Sequence, residues 1–245
     1  MLASNVLRCG ISENLSEMSQ LMILRSLTSA CRSSIGSTSA DGGTVPRPVS
    51  EVGIKQCNRH QLQCALIEIS HLIVGLGEAC ASSLEDLLPV LRDCLSYPDH
   101  GVRHEAAAVY AAIAQAFSSE ARTFVIDSLG SFAANLDAIQ SLSSRVASTT
   151  IPVQRRRFGG RSNTDKHDGP TDELMKHQST LHGNALAVSM LMHEFPHIMG
   201  GCATVIVSKV FDVIGRLLQC QFNDSFVKVC SAAELTYCFC CYAHF

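Results

Sequence analysis

Tryptophan is absent from this sequence, charged residues make up only 17% of it, and its twelve cysteines form no ladder of regular spacings. Little charge beside 47% hydrophobic residues is a poor composition for a free-standing soluble surface, and it implies apolar surface meant for a neighbour. Without a spacing ladder, the cysteines do not frame a small secreted disulfide domain. They read as reduced core residues of a cytosolic protein. A net charge of −3 offers no global attraction for nucleic acid or an anionic membrane. No Gly-x-Ser-x-Gly, P-loop or dinucleotide glycine pattern occurs, so those catalytic classes have no foothold. Met1 to Gly10 lacks the apolar core of a secretory signal, and the longest apolar runs meet Lys, Arg, Asp or Glu before they could span a bilayer.

What is present is helical periodicity. Leu84, Leu87, Leu88, Leu91 and Leu95 recur at three and four residues, one stripe of an amphipathic helix. Tyr97-Pro98-Asp99-His100-Gly101 ends it, because proline disfavours helical geometry in the residue before it and glycine tolerates a turn. A second helix begins at Val102-Arg103 and presents Ala106, Ala107, Val109, Tyr110, Ile113 and Phe117. Its small residues allow a close helix approach. This order of features resembles a HEAT repeat, and the resemblance implies that Asp99 and Arg103 are structural, tying one hairpin to the next.

The flanks repeat the pattern. A helix from about Ser12 is expected to bury Leu15, Met18, Leu21, Met22, Leu24 and Leu27, with Glu13 and Glu17 in its first turns. Asn58 to Ala79 would bury Leu62, Ala65, Leu66, Ile69, Leu72, Ile73 and Leu76. Ser119 to about Ser141 carries Phe124, Val125, Leu129, Phe132, Leu136 and Ile139, with Gly130 weakening its middle. Glu173 to His193 carries Leu181, Ala185, Leu186, Val188, Leu191 and Met192. Ala203 to Leu218 and Phe226 to Phe245 complete the set, and the last stays apolar to its end, as a piece of a longer protein would.

The expected fold is therefore all-α, a stack of antiparallel helical hairpins forming a HEAT- or armadillo-like α-solenoid. Residues 1–31 form an N-terminal helical segment, 32–57 a flexible Ser/Gly/Pro-rich loop and 58–142 the hairpins. Residues 143–173 form a flexible Arg-rich loop, and 174–245 a truncated C-terminal repeat segment.

Three motifs invite chemistry. His193-Glu194-Phe195-Pro196-His197 is a literal His-Glu-x-x-His, which in a zinc peptidase needs both imidazoles on one helical face and the glutamate as base. Pro196 argues against it by ending the helix before His197, and only Glu234 and His244 stand downstream as a third ligand. Cys238, Cys240, Cys241 and His244 suggest a metal cluster, although adjacent cysteines rarely share one tetrahedral site. Arg155, Arg156, Arg157 and Arg161 form a basic cluster beside Ser162 and Thr164. It reads as a solvated loop, with kinase modification of Ser162 or Thr164, or nucleic-acid binding, as alternatives.

Three strings go further: Val6-Leu7-Arg8-Cys9-Gly10-Ile11 before Leu15-Ser16-Glu17, the central hairpin with Val102-Arg103 and Ala106-Ala107, and Leu181-His182-Gly183-Asn184-Ala185-Leu186-Ala187-Val188. They resemble the very large HEAT-repeat accessory factors of the clathrin adaptor pathway, the Sweetie-like family. The resemblance implies a cytoplasmic scaffold for protein–protein interaction, peripheral at the trans-Golgi network, endosomes or clathrin-coated vesicles. Clathrin adaptor subunits would be its partners, and it implies no enzymatic activity, no catalytic or metal-binding residues, no cofactor and no nucleic acid. The alternative is a zinc metallopeptidase built on His193, Glu194 and His197.

Overall fold

The computed structural model describes residues 15–36, 58–119, 121–149 and 170–194, together with Ser208, Asp212, Gly215 and Arg216. Among these, 92% are helical and none is a strand, so the fold is all-α. The helices are α1 (Glu17–Gly36), α2 (Arg59–Leu76), α3 (Ala81–Leu95), α4 (His100–Ala116), α5 (Ala121–Thr149) and α6 (Pro170–Glu194), with a 3-10 turn at Gly77–Cys80.

Each boundary has a local cause. Asn58 opens α2 with a capping box: its side chain accepts from the Gln61 amide at 3.0 Å, and the Gln61 side chain accepts from the Asn58 amide at 2.9 Å. Asp99 caps α4 by accepting from the Val102 amide at 3.3 Å. The central hairpin is thus α3 and α4 joined by the Tyr97–Asp99 turn. Its apolar stripe is Leu87, Val90, Leu91, Cys94 and Leu95, with Leu84 and Leu88 at its half-buried edge.

α1 packs on α2, α3 on α4 and α5 on α6; α1 also meets α3, α3 meets α6, and α4 meets α2, α5 and α6. The core therefore runs through α4, where Val102, Ala106, Ala107, Val109, Ile113 and Ala114 are all buried. α6 is buried on every side from Leu181 to Ser189, as befits a helix with neighbours all round. The periodicity located the buried positions of α2 and α5 well: Leu62, Leu66, Ile69, Leu72, Ile73, Phe124, Val125, Leu129, Phe132, Leu136 and Ile139 are core.

Several expectations need correction. Met18 and Met22 are 66% and 63% exposed, and the buried face of α1 is Leu24, Thr28, Cys31 and Ser34. The Thr28 hydroxyl donates to the Leu24 carbonyl at 2.8 Å and Ser34 to Ala30 at 2.8 Å, so these polar residues enter the core with their hydroxyls satisfied. α1 continues to Gly36, past the boundary read at Cys31, and α5 continues to Thr149, past 142; hydroxyl-rich sequence can be carried helically when the chain before it is packed. Gly130 is exposed and does not interrupt α5. The run Arg59–Leu95 also contains an 18-residue window of mean hydropathy 1.5, long and apolar enough to cross a membrane by length and composition, of which 28% is buried. Val74, on α2, is half exposed.

Candidate functional site

Two features lie along the layer formed by α2, α4 and α6. One is a buried polar network and the other an open cleft. The network begins at Arg103, only 6% exposed. Its Nη1 donates to the carbonyls of Tyr97 and Pro98, each at 2.7 Å, and its Nε donates to His182 Nδ1 on α6 at 3.2 Å. Because Nδ1 accepts, the neutral His182 ring carries its proton on Nε2. Burial, then the charge of Arg103 and the neighbouring His100, holds the His182 pKa down to about 4. The His100 ring meets His182 edge-on with centroids 5.1 Å apart. Burial also works against the Arg103 charge, while the nearby Asp99 favours it.

Asp99 extends the network the other way. Its Oδ1 accepts from Gln63 Nε2 on α2 at 2.9 Å, and its Oδ2 lies 3.7 Å from Arg59. The Arg59 pair is exposed and worth little; the Gln63 bond is the structural link. A side chain at position 101 would force the Gln63 side chain to shift, since a Cβ on Gly101 would sit 2.1 Å from Gln63 Nε2. Asp99 and Arg103 thus bond side chains of α2 and α6, the two helices on either side of α4. Periodicity missed His182, Gly183 and Asn184, which are buried in α6. A Cβ on Gly183 would lie 2.0 Å from the Leu95 carbonyl oxygen, and Asn184 donates to Ser131 Oγ on α5 at 3.1 Å. A His-Gly-Asn string inside an apolar helix was the signal available.

The cleft opens where the same helices end. Its floor is α4, with Ala108, Ala111 and Ala112; α2 contributes His71 and Val74, and α6 contributes Met190, His193 and Glu194. Its volume is about 480 Å³. Alanine makes the depth, because it buries the helix backbone without filling the space between the walls. A smaller polar notch of about 240 Å³ lies between α3 and α5, lined by Arg92, Ser96, Asp127 and Thr180 among others.

No family model, curated protein or solved structure matches this chain.

Of the motif residues, His193 and Glu194 are described, at the last described turn of α6, with His193 Nδ1 3.6 Å from Glu194 Oε1. Phe195, Pro196, His197, Glu234, Cys238, Cys240, Cys241 and His244 lie outside the described residues, as do Arg155, Arg156, Arg157, Arg161, Ser162 and Thr164. Among the described residues no three His, Cys, Asp or Glu side chains gather as a metal site. Cys31, Cys80 and Cys94 are buried thiols, and burial, then Cys31 and Asp93, pushes the Cys94 thiol far up, away from reactivity. Cys64 departs from the expectation of core cysteines and is exposed.

Proposed function

We propose that this chain is part of a non-enzymatic α-solenoid scaffold of the HEAT kind that binds proteins in clathrin-adaptor-dependent traffic between the trans-Golgi network and endosomes. The observation that carries the scaffold reading is the pair of links from one turn: Asp99 back to Gln63 on α2 and Arg103 forward to His182 on α6. A helical pair that cannot bury its apolar face alone gains stability by such stacking, and an array of pairs leaves long faces open to partners. The contacts of α4 with α2 on one side and α6 on the other support the same reading. Two of the three strings that resemble the adaptor accessory factors contain Arg103 and His182, so the resemblance rests in part on residues with packing roles.

The cytoplasmic setting and the adaptor partner come from that resemblance. The test is direct binding: purified clathrin adaptor complexes are immobilised and the chain is titrated over them. Saturable binding at micromolar affinity, competed by unlabelled chain, is the expected result. A chain that stays folded and shows no saturable binding to any adaptor subunit sinks the trafficking role.

A further inference from the structure

The spacing that a helical zinc site needs, two histidines four residues apart on one face, is carried by α4 in His100-Gly101-Val102-Arg103-His104. The two residues are exposed, and their rings stand edge-on with centroids 6.4 Å apart. His104 Nδ1 lies 3.3 Å from Glu105 Oε1. A carboxylate there holds the ring proton on Nδ1 and leaves the lone pair on Nε2, as the partners of metal-binding histidines do. Gly101 stands where a zinc peptidase carries its glutamate, so the spacing supplies ligands and no base. His182 is no third ligand, because its ring is buried and its Nδ1 is taken by Arg103.

We infer that His100 and His104 chelate a divalent ion of the zinc class, which takes one nitrogen from each ring and fills its remaining positions with water. Around a tetrahedral ion with Zn–N bonds of about 2.0–2.1 Å, the two ring centroids come to about 5 Å apart. Rotation of two exposed side chains closes the difference without moving the helix. The positive end of α4 opposes a cation, and the carboxylates of Asp99 and Glu105, in the positions flanking the pair, offset it. Asp99 and Arg103 belong to the same turn, so a bound ion also fixes the part of α4 that bonds to Gln63 and His182. Such a site does not depend on the scaffold reading.

The test is a Zn²⁺ titration of the full chain, followed by NMR at the imidazole Cε1–H resonances of His100 and His104, assigned by through-bond correlation. Both resonances are expected to shift together with one common midpoint, whereas zinc held by cysteines elsewhere would leave them in place. His100→Ala and His104→Ala should each weaken zinc at the surviving ring about tenfold or more, since the second ring of a chelate binds at a high effective concentration. Glu105→Gln should weaken it several-fold, through the orientation of His104. Both histidines are exposed, so neither alanine variant should lower the thermal melt measured with a chelator present. Should a variant unfold, the common midpoint in the parent chain still decides. Resonances that stay fixed in excess zinc overturn the inference. So do shifts with separate midpoints, or a folded single variant that holds zinc as tightly as the parent chain.

Discussion

Near the Tyr97–Asp99 turn, polar side chains cross from helix to helix: Gln63 to Asp99, Arg103 to His182 and, beyond them, Asn184 to Ser131. At the other end of α2, α4 and α6, no such bond is found among the described residues that line the cleft, and Ala108, Ala111 and Ala112 leave open space. One layer of helices thus has a locked end and an open end. The locked end stakes stability on a few buried polar atoms that must all be satisfied, and the open end spends packing on a surface. Substitutions should therefore be costly at the first and cheap at the second.

The largest effect is expected at Gly183. Alanine there would drive a Cβ into the Leu95 carbonyl oxygen at 2.0 Å, and the obstacle is backbone rather than a side chain that could move aside. Gly183→Ala should cost about 3 kcal/mol or more in urea unfolding. A loss below about 1 kcal/mol would mean that α6 and the end of α3 are not in backbone contact.

Arg103→Met comes next. It strands the Tyr97 and Pro98 carbonyls and His182 Nδ1, and should cost about 2–3 kcal/mol after allowing for the relieved burial of a charge. Paired with His182→Ala in a double-mutant cycle, the two losses should fall short of additive. Strict additivity would separate the two residues.

Acid should open the same end. His182 has its pKa depressed from 6.5 to about 4 in the fold, so between those values the unfolded chain binds a proton that the folded chain refuses. Stability is full above pH 6.5 and falls as pH drops through that window, by about 2 kcal/mol at pH 5. His182→Asn keeps an acceptor for Arg103 Nε and should flatten this slope. An unchanged slope would assign the acid sensitivity to another group.

The smallest effect belongs to the open end. Val74→Lys places a cation on a half-exposed position and should change stability by less than about 0.5 kcal/mol. A large loss there would show the cleft to be core, and would erase the contrast between the two ends.

These contrasts also show how far the sequence could be read. Strong periodicity located the buried faces of α2 and α5, because a side chain every three or four residues has one way to hide on a helix. The same reasoning misassigned α1, where Met18 and Met22 are exposed while Thr28 and Ser34 are buried. Hydroxyls that bond their own helix carry little burial cost, and hydropathy does not see that bond. For the site, the Pro98-Asp99 turn and Arg103 were visible in the chain, but their partners Gln63 and His182 were not, being 36 and 79 residues away in sequence.

Sequence alone determined that the described residues are helical, where α2, α3, α4 and α6 run to within a few residues, and which aliphatic residues of α2 and α5 leave water, since these depend on spacing and on capping within a few residues. Tertiary structure decided that Met18 and Met22 stay outside, that His182 is held neutral against a guanidinium, that Gly183 lets α6 touch the end of α3, and that three alanines become the floor of a cleft. Each of those outcomes depends on what stands across from a residue rather than beside it, and a distance through space is not written in the order of a chain.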